Sequence, residues 1–135
     1  MENLTYSLVQ IVHNFGAAGV VGGSVFALWP VPQAPSTLRR LAWLVMFSWT
    51  AQIVSGIGFG LTSLYFYGLL PDIHGTAVIA LGIKIAAAVT GLVIISLYLG
   101  RLGAWTDVQR MRLWSVTASL AVIALTAAAV LRWYS

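Results

Sequence analysis

The chain has 135 residues, 60% of them hydrophobic and only 7% charged, with a net charge of +4 and no cysteine. Soluble domains carry about a quarter charged residues, so three acids and seven bases cannot cover a water-facing surface of this length. The arginines fall at the ends of apolar segments, where they set topology and meet anionic headgroups, so nucleic acid is not an expected partner and the lipid bilayer is.

The first apolar segment runs over about Leu4–Trp29 and is stopped by Pro30, Pro32 and Pro35. The opening MENLTYSLVQ lacks the basic n-region of a signal peptide, so this segment reads as a mature helix. The second runs over about Leu38–Tyr67, with Ser36 or Thr37 as cap, and breaks at Gly68 and Pro71. The third runs over about Ile73–Leu99, with Asp72 at its N-cap and Gly100 and Gly103 beyond its end. The fourth runs over about Val108–Trp133, with Asp107 as cap. Each is long enough to cross a bilayer, which takes about 20 residues. No linker, low-complexity tract or strong repeat divides residues 1–135, which read as a single domain. The expected fold is all-α: an integral membrane four-helix up-down bundle, its short loops making consecutive helices antiparallel neighbours.

Loop charge orients this bundle. Arg39 and Arg40 flank the first loop, and Arg101, Arg110 and Arg112 surround the third, against Asp107. The other side has Glu2 and Asp72, with Arg132 its only basic side chain. Basic loops face the cytoplasm, which predicts both termini on the extracytoplasmic side. Trp29, Trp43, Trp105, Trp114, Trp133, Tyr65 and Tyr67 lie near the segment ends and read as an aromatic belt. Gly16, Gly19, Gly22 and Gly23 on the first helix mark close backbone approach, as do Gly56, Gly58 and Gly60 on the second. Ala80, Ala87, Ala88 and Gly91 do the same on the third. Packing explains these small residues first; room for a flat cofactor is the second explanation.

Three ionisable residues stand out. Lys84, the only lysine, lies near the middle of the third helix, where insertion costs roughly 2.5–3.5 kcal/mol. No acid lies within any span to pair with it, so it must be neutral, face a wet cavity, or meet an anionic or carbonyl-bearing ligand. His13 lies in the first helix, which runs parallel to the third. Counting at about 1.5 Å per residue, His13 and Lys84 fall within roughly 5 Å of the midplane, on the extracytoplasmic side. Both sit on small-residue faces that should look into the bundle. A histidine and a lysine meeting at one depth can hold a haem, ligate a metal or relay a proton. His74 lies roughly 15 Å nearer the surface along the helix axis. It reads as a solvated neighbour of the cap or, with Asp72, as a mouth site for a metal ion. Gln52, Ser55 and Thr126, near the midplane, are candidates to bond a ligand, backbone or neighbouring helices.

No Ser-His-Asp set, paired carboxylates or HExxH is present, which excludes ordinary hydrolytic chemistry. Electron transfer, oxidation at a bound cofactor, and ion or proton movement stay open. The pattern of His13, Gly22-Gly23, a second span from Trp43 to Gly60 with Ser55-Gly56, Leu-Pro-Asp-Ile-His74 and Gly82-Ile-Lys84 resembles the small four-span CopD-like bacterial membrane proteins. In layout it is also similar to the HemJ type of protoporphyrinogen oxidase. The resemblance implies a bacterial inner-membrane protein with haem b on His13 and Lys84 meeting propionate or porphyrin. The expected function is therefore haem b binding or a redox role. The alternatives are an accessory subunit of a larger membrane complex without its own cofactor, and copper or proton translocation, with His13 and His74 as the copper-ligand candidates.

Overall fold

The computed structural model describes residues 1–101 and 103–134. It contains four helices: α1 (Glu2–Ala27), α2 (Pro35–Tyr67), α3 (Thr76–Gly100) and α4 (Asp107–Tyr134). All four are long and apolar enough to cross a membrane, and the fold is all-α as expected, with no strand among the described residues.

The helix ends have local causes, several of which differ from the sequence expectation. α1 stops at Ala27, short of Trp29, ahead of the proline run. α2 begins at Pro35 rather than Leu38: extended Ala34 is its N-cap, and the fixed φ of proline suits the first helical position. Ser36 and Thr37 therefore lie inside the helix. α2 ends where Gly68 turns left-handed at φ 69° and its N–H donates to the Leu64 carbonyl at 2.9 Å.

α3 begins at Thr76, not Ile73, because Gly75 stands at φ 54° immediately before it. Asp72 is not the cap; it lies in the loop with Ile73 and His74. The cap of α4 is Thr106 rather than Asp107. Its hydroxyl accepts from the Gln109 N–H at 3.2 Å, while the Gln109 side chain accepts from the Thr106 N–H at 3.1 Å. This reciprocal pair satisfies two otherwise free amides.

Each helix packs on its chain neighbours, and α4 closes the ring on α1. The Glu2 carboxylate accepts a hydrogen bond from the Tyr67 hydroxyl, tying the start of α1 to the end of α2. Packing is closest where side chains vanish. A Cβ on Gly19 would lie 2.1 Å from Ser48 Oγ, and one on Gly23 2.7 Å from Val45 Cγ2. The glycine spacing of α1 thus seats α2 within the same chain. On α3, Ala80, Ala87, Ala88 and Gly91 are all buried, and Gly91 lies directly under the Trp49 ring.

The dense core occupies the half of the bundle near the α1–α2 and α3–α4 loops, built from Val45, Trp49, Ile95, Tyr98 and Trp114. Tyr98 meets Trp114 edge-on at 5.6 Å. Trp114 is 2% exposed and so belongs to this core, not to an aromatic belt. Trp29, Trp43, Trp133, Tyr65 and Tyr67 are exposed, as a belt requires. Outward-facing Phe15, Phe47, Ile79 and Ile123 give the bundle an apolar exterior suited to lipid tails.

Candidate functional site

The half of the bundle near the termini and the α2–α3 loop is not filled. A cavity of about 1030 Å3 opens there, at the upper end of the usual range of roughly 300–1,000 Å3 for ligand pockets. Its volume comes from missing side chains: Gly56 and Gly60 on α2 face Ala121, Ala124, Ala128 and Ala129 on α4. Leu70, Pro71 and Ile73 of the α2–α3 loop complete the wall.

His13 and Lys84 both line this cavity, and Lys84 Nζ lies 2.9 Å from His13 Nε2. The bond crosses the bundle diagonal, since α1 and α3 do not pack against one another. The sequence expectation that these residues share one depth and face inward describes the geometry found.

The hydrogen bonds around His13 fix its tautomer. Ser55 Oγ donates its single hydrogen to the Ala51 carbonyl at 2.5 Å. It must therefore accept at its 2.7 Å contact with His13 Nδ1, so Nδ1 carries the imidazole hydrogen. Nε2 is left with a lone pair directed into the cavity, where it accepts from Lys84 Nζ. The result is a continuous donor chain, Lys84 to His13 to Ser55 to the α2 backbone. The Gln52 amide donates to the His13 carbonyl, and the Phe59 ring meets the imidazole edge-on at 5.5 Å. Thr126 is not part of the site: its hydroxyl bonds its own helix at Val122.

His74 lies apart. It pairs with Asp72 at 2.7 Å on a highly exposed loop and does not line the cavity. Among the described residues no group of three or more His, Cys, Asp or Glu side chains is placed to hold a metal. His13 and His74 thus do not form a common ligand set.

Two features of the site go beyond what the sequence assigns: the partner of Ser55 and the place of Arg132. Ser55 is a midplane candidate beside Gln52 and Thr126, and only the rotation of α2 shows that its partner is His13. Arg132 counts in the sequence only as the one basic side chain on its side of the bundle, yet it lines the cavity mouth from the last turn of α4. The signal for it was present: Ala121, Ala124, Ala128 and Arg132 recur at helical spacing along one face of α4.

The residues fit one axial position for a haem. Metal-ligating histidines usually donate their second nitrogen to a neighbour that fixes the ring, and Ser55 does this for His13. The free Nε2 faces a space of ligand size. Lys84 Nζ stands at the coordinating lone pair, so a metal on Nε2 requires the lysine to turn aside. Among the described residues His13 is the only imidazole lining the cavity and no methionine joins it, so the chain offers one axial ligand. Comparison with protein-family models, with curated proteins and with solved structures finds nothing that matches this chain.

Proposed function

We propose that this chain is a small haem b-binding, redox-active membrane protein of the CopD-like kind, with His13 as axial ligand and Lys84 as the partner of an anionic group. The single observation carrying this reading is the His13 imidazole. Its Nδ1–H is anchored on Ser55 and its Nε2 lone pair is directed into a cavity walled by glycine and alanine. Haem b when bound supplies a one-electron couple. The chain's own part is to orient the imidazole, exclude water with an apolar wall, and hold Nζ where it can move from Nε2 to an incoming anion. The basic loops orient the bundle with its cavity mouth extracytoplasmic, in a bacterial inner membrane. A redox partner, in a larger membrane complex or a second copy of the chain, would exchange the electron.

A second reading, proton movement, is favoured by the donor chain from Lys84 through His13 to Ser55. It ends on a backbone carbonyl, which cannot pass a proton onward. A proton would therefore be exchanged with a ligand in the cavity rather than carried across the bundle. Copper handling has less support, because His74 and His13 do not converge.

The test is an absorption spectrum of the purified protein, oxidised and then dithionite-reduced. A Soret band with sharp reduced α and β bands, lost in His13→Ala, is the expected result. A featureless spectrum from protein purified without haem loss overturns the reading and directs attention to an accessory role in a larger complex.

A further inference from the structure

The cavity carries charge of one sign. Lys84 and Arg132 both line it, and no acid does among the described residues. The acids at the same end of the bundle are engaged elsewhere: Glu2 accepts from Tyr67, and Asp72 pairs with His74. Arg132 makes no ion pair among the described residues. Counted from the ends of α3 and α4 at about 1.5 Å per residue, Lys84 lies roughly 9 Å deeper than Arg132. Around these cations the wall is mostly apolar, with Leu81, Leu125, Ala128 and Phe59, and carries the neutral amides Gln10, Asn14 and Gln52.

A largely apolar cavity with a cation at its mouth, a second at depth and, among the described residues, no anion of its own is complementary to an amphipathic anion. A neutral apolar ligand would leave the lysine without a charge partner in low dielectric. A cation would meet repulsion from both. A planar carboxylate matches the arginine fork at the mouth, and its apolar body fits the alanine face of α4.

We infer that the cavity recognises an amphipathic carboxylate, whose acid group Arg132 holds at the mouth, with Lys84 as the deeper cation for a second acid group. This deepens the haem reading, because haem b is itself a dicarboxylate, but it does not depend on iron. A free long-chain fatty acid of the membrane presents the same chemistry. Arg132 is the residue that selects for the acid, and its contribution should be roughly tenfold in affinity, as for a charged hydrogen bond.

The experiment uses the full chain in phosphatidylcholine nanodiscs. It is titrated with haem b and with haem b dimethyl ester, which keeps iron and macrocycle but lacks both anions. A parallel titration follows cis-parinarate fluorescence with palmitate as competitor. The expected result is binding of the diacid roughly tenfold tighter than the ester. Arg132→Gln should remove most of that difference without weakening the ester, and Arg132→Lys should restore part of it. Arg132 is exposed at the end of α4, so neither variant should disturb folding. Equal affinity for diacid and ester, with a His13-dependent Soret band, overturns the proposal and leaves the haem reading standing. If neither haem compound binds but palmitate displaces parinarate in an Arg132-dependent way, the haem reading falls, this proposal holds and the source is the membrane. Diacid selectivity without parinarate binding supports it with the cofactor's own carboxylates as the source. Failure of every probe overturns both.

Discussion

Substituting Gly91 by alanine tests whether the bundle is held by contact at its core or only by its lipid environment. A Cβ there would lie 2.5 Å from Trp49 Cε2 and 2.7 Å from both Cζ2 and Nε1. The indole cannot yield by rotating a flexible tip: it is rigid and 1% exposed. Either α2 and α3 separate or the ring leaves its rotamer, and such overpacking costs about 1–3 kcal/mol. Gly82 on the same helix is the matched control, with nothing within 4 Å of its Cβ position. Both substitutions change helix propensity equally, so the comparison isolates the clash. Unfolding in mixed micelles of rising SDS content, followed by far-ultraviolet circular dichroism, should show Gly91→Ala less stable than Gly82→Ala by about 1–3 kcal/mol. Trp49→Leu ends the side chain before the three clashing atoms and breaks no hydrogen bond, since Trp49 Nε1 has no partner among the described residues. It should rescue Gly91→Ala more than it changes the parent, giving a nonzero coupling in the double-mutant cycle. Equal stability of the two alanine variants, with no coupling to Trp49, would refute the argument.

The same logic places Gly23→Ala, against the stiff Val45 side chain, among the destabilising changes on α1, while Gly22→Ala should be silent in the same unfolding assay. Thr106→Ala removes the hydroxyl that caps α4 and should cost about 0.5–2 kcal/mol, read from the SDS midpoint. Ser55→Ala frees the His13 ring; haem binding should weaken, and the reduced α band should broaden as the imidazole takes more than one orientation. His74→Ala should leave both stability and spectrum unchanged, because its pair with Asp72 is exposed and outside the cavity. A spectrum altered by His74→Ala would show that the loop residue reaches the site after all.

How much of this was legible in the sequence depends on the coordinate in question. Depth was legible: a constant rise per residue in parallel helices placed His13 and Lys84 level, and placed His74 away from them. Rotation was only partly legible. The alanines beside Lys84 gave the inner face of α3, but position near a helix end said nothing about which way Trp114 turns, and it lies in the core. Helix starts were misplaced by a few residues where a backbone feature outweighed the side-chain signal. Asp72 is a good capping residue, but Gly75 at positive φ separates it from the helix. The cavity itself was not legible, because its walls are the small residues that packing also explains. Gly23 and Gly60 are alike in sequence; one touches Val45 and the other lines an open space.

Lys84 shows why the two halves of the bundle differ. A lysine at this depth is costly unless its donors are met, and no carboxylate in any helix interior is available to meet them. The dense half of the bundle is filled by the buried side chains of Val45, Trp49 and Ile95. Lys84 sits instead at the cavity edge, where the His13 lone pair accepts one of its hydrogens. That acceptor exists only because Ser55 holds the hydrogen of the imidazole on the opposite nitrogen, and Ser55 is held by the Ala51 carbonyl. Three helices therefore cooperate to keep one amine and one lone pair face to face. A purely structural role would be served better by leucine at position 84. Lys84→Met should accordingly stabilise the unliganded bundle while weakening its affinity for haem b, a divergence visible by comparing SDS midpoints with haem titrations. Higher stability with unchanged affinity would mark the lysine as a tolerated fault in packing, with no part in binding.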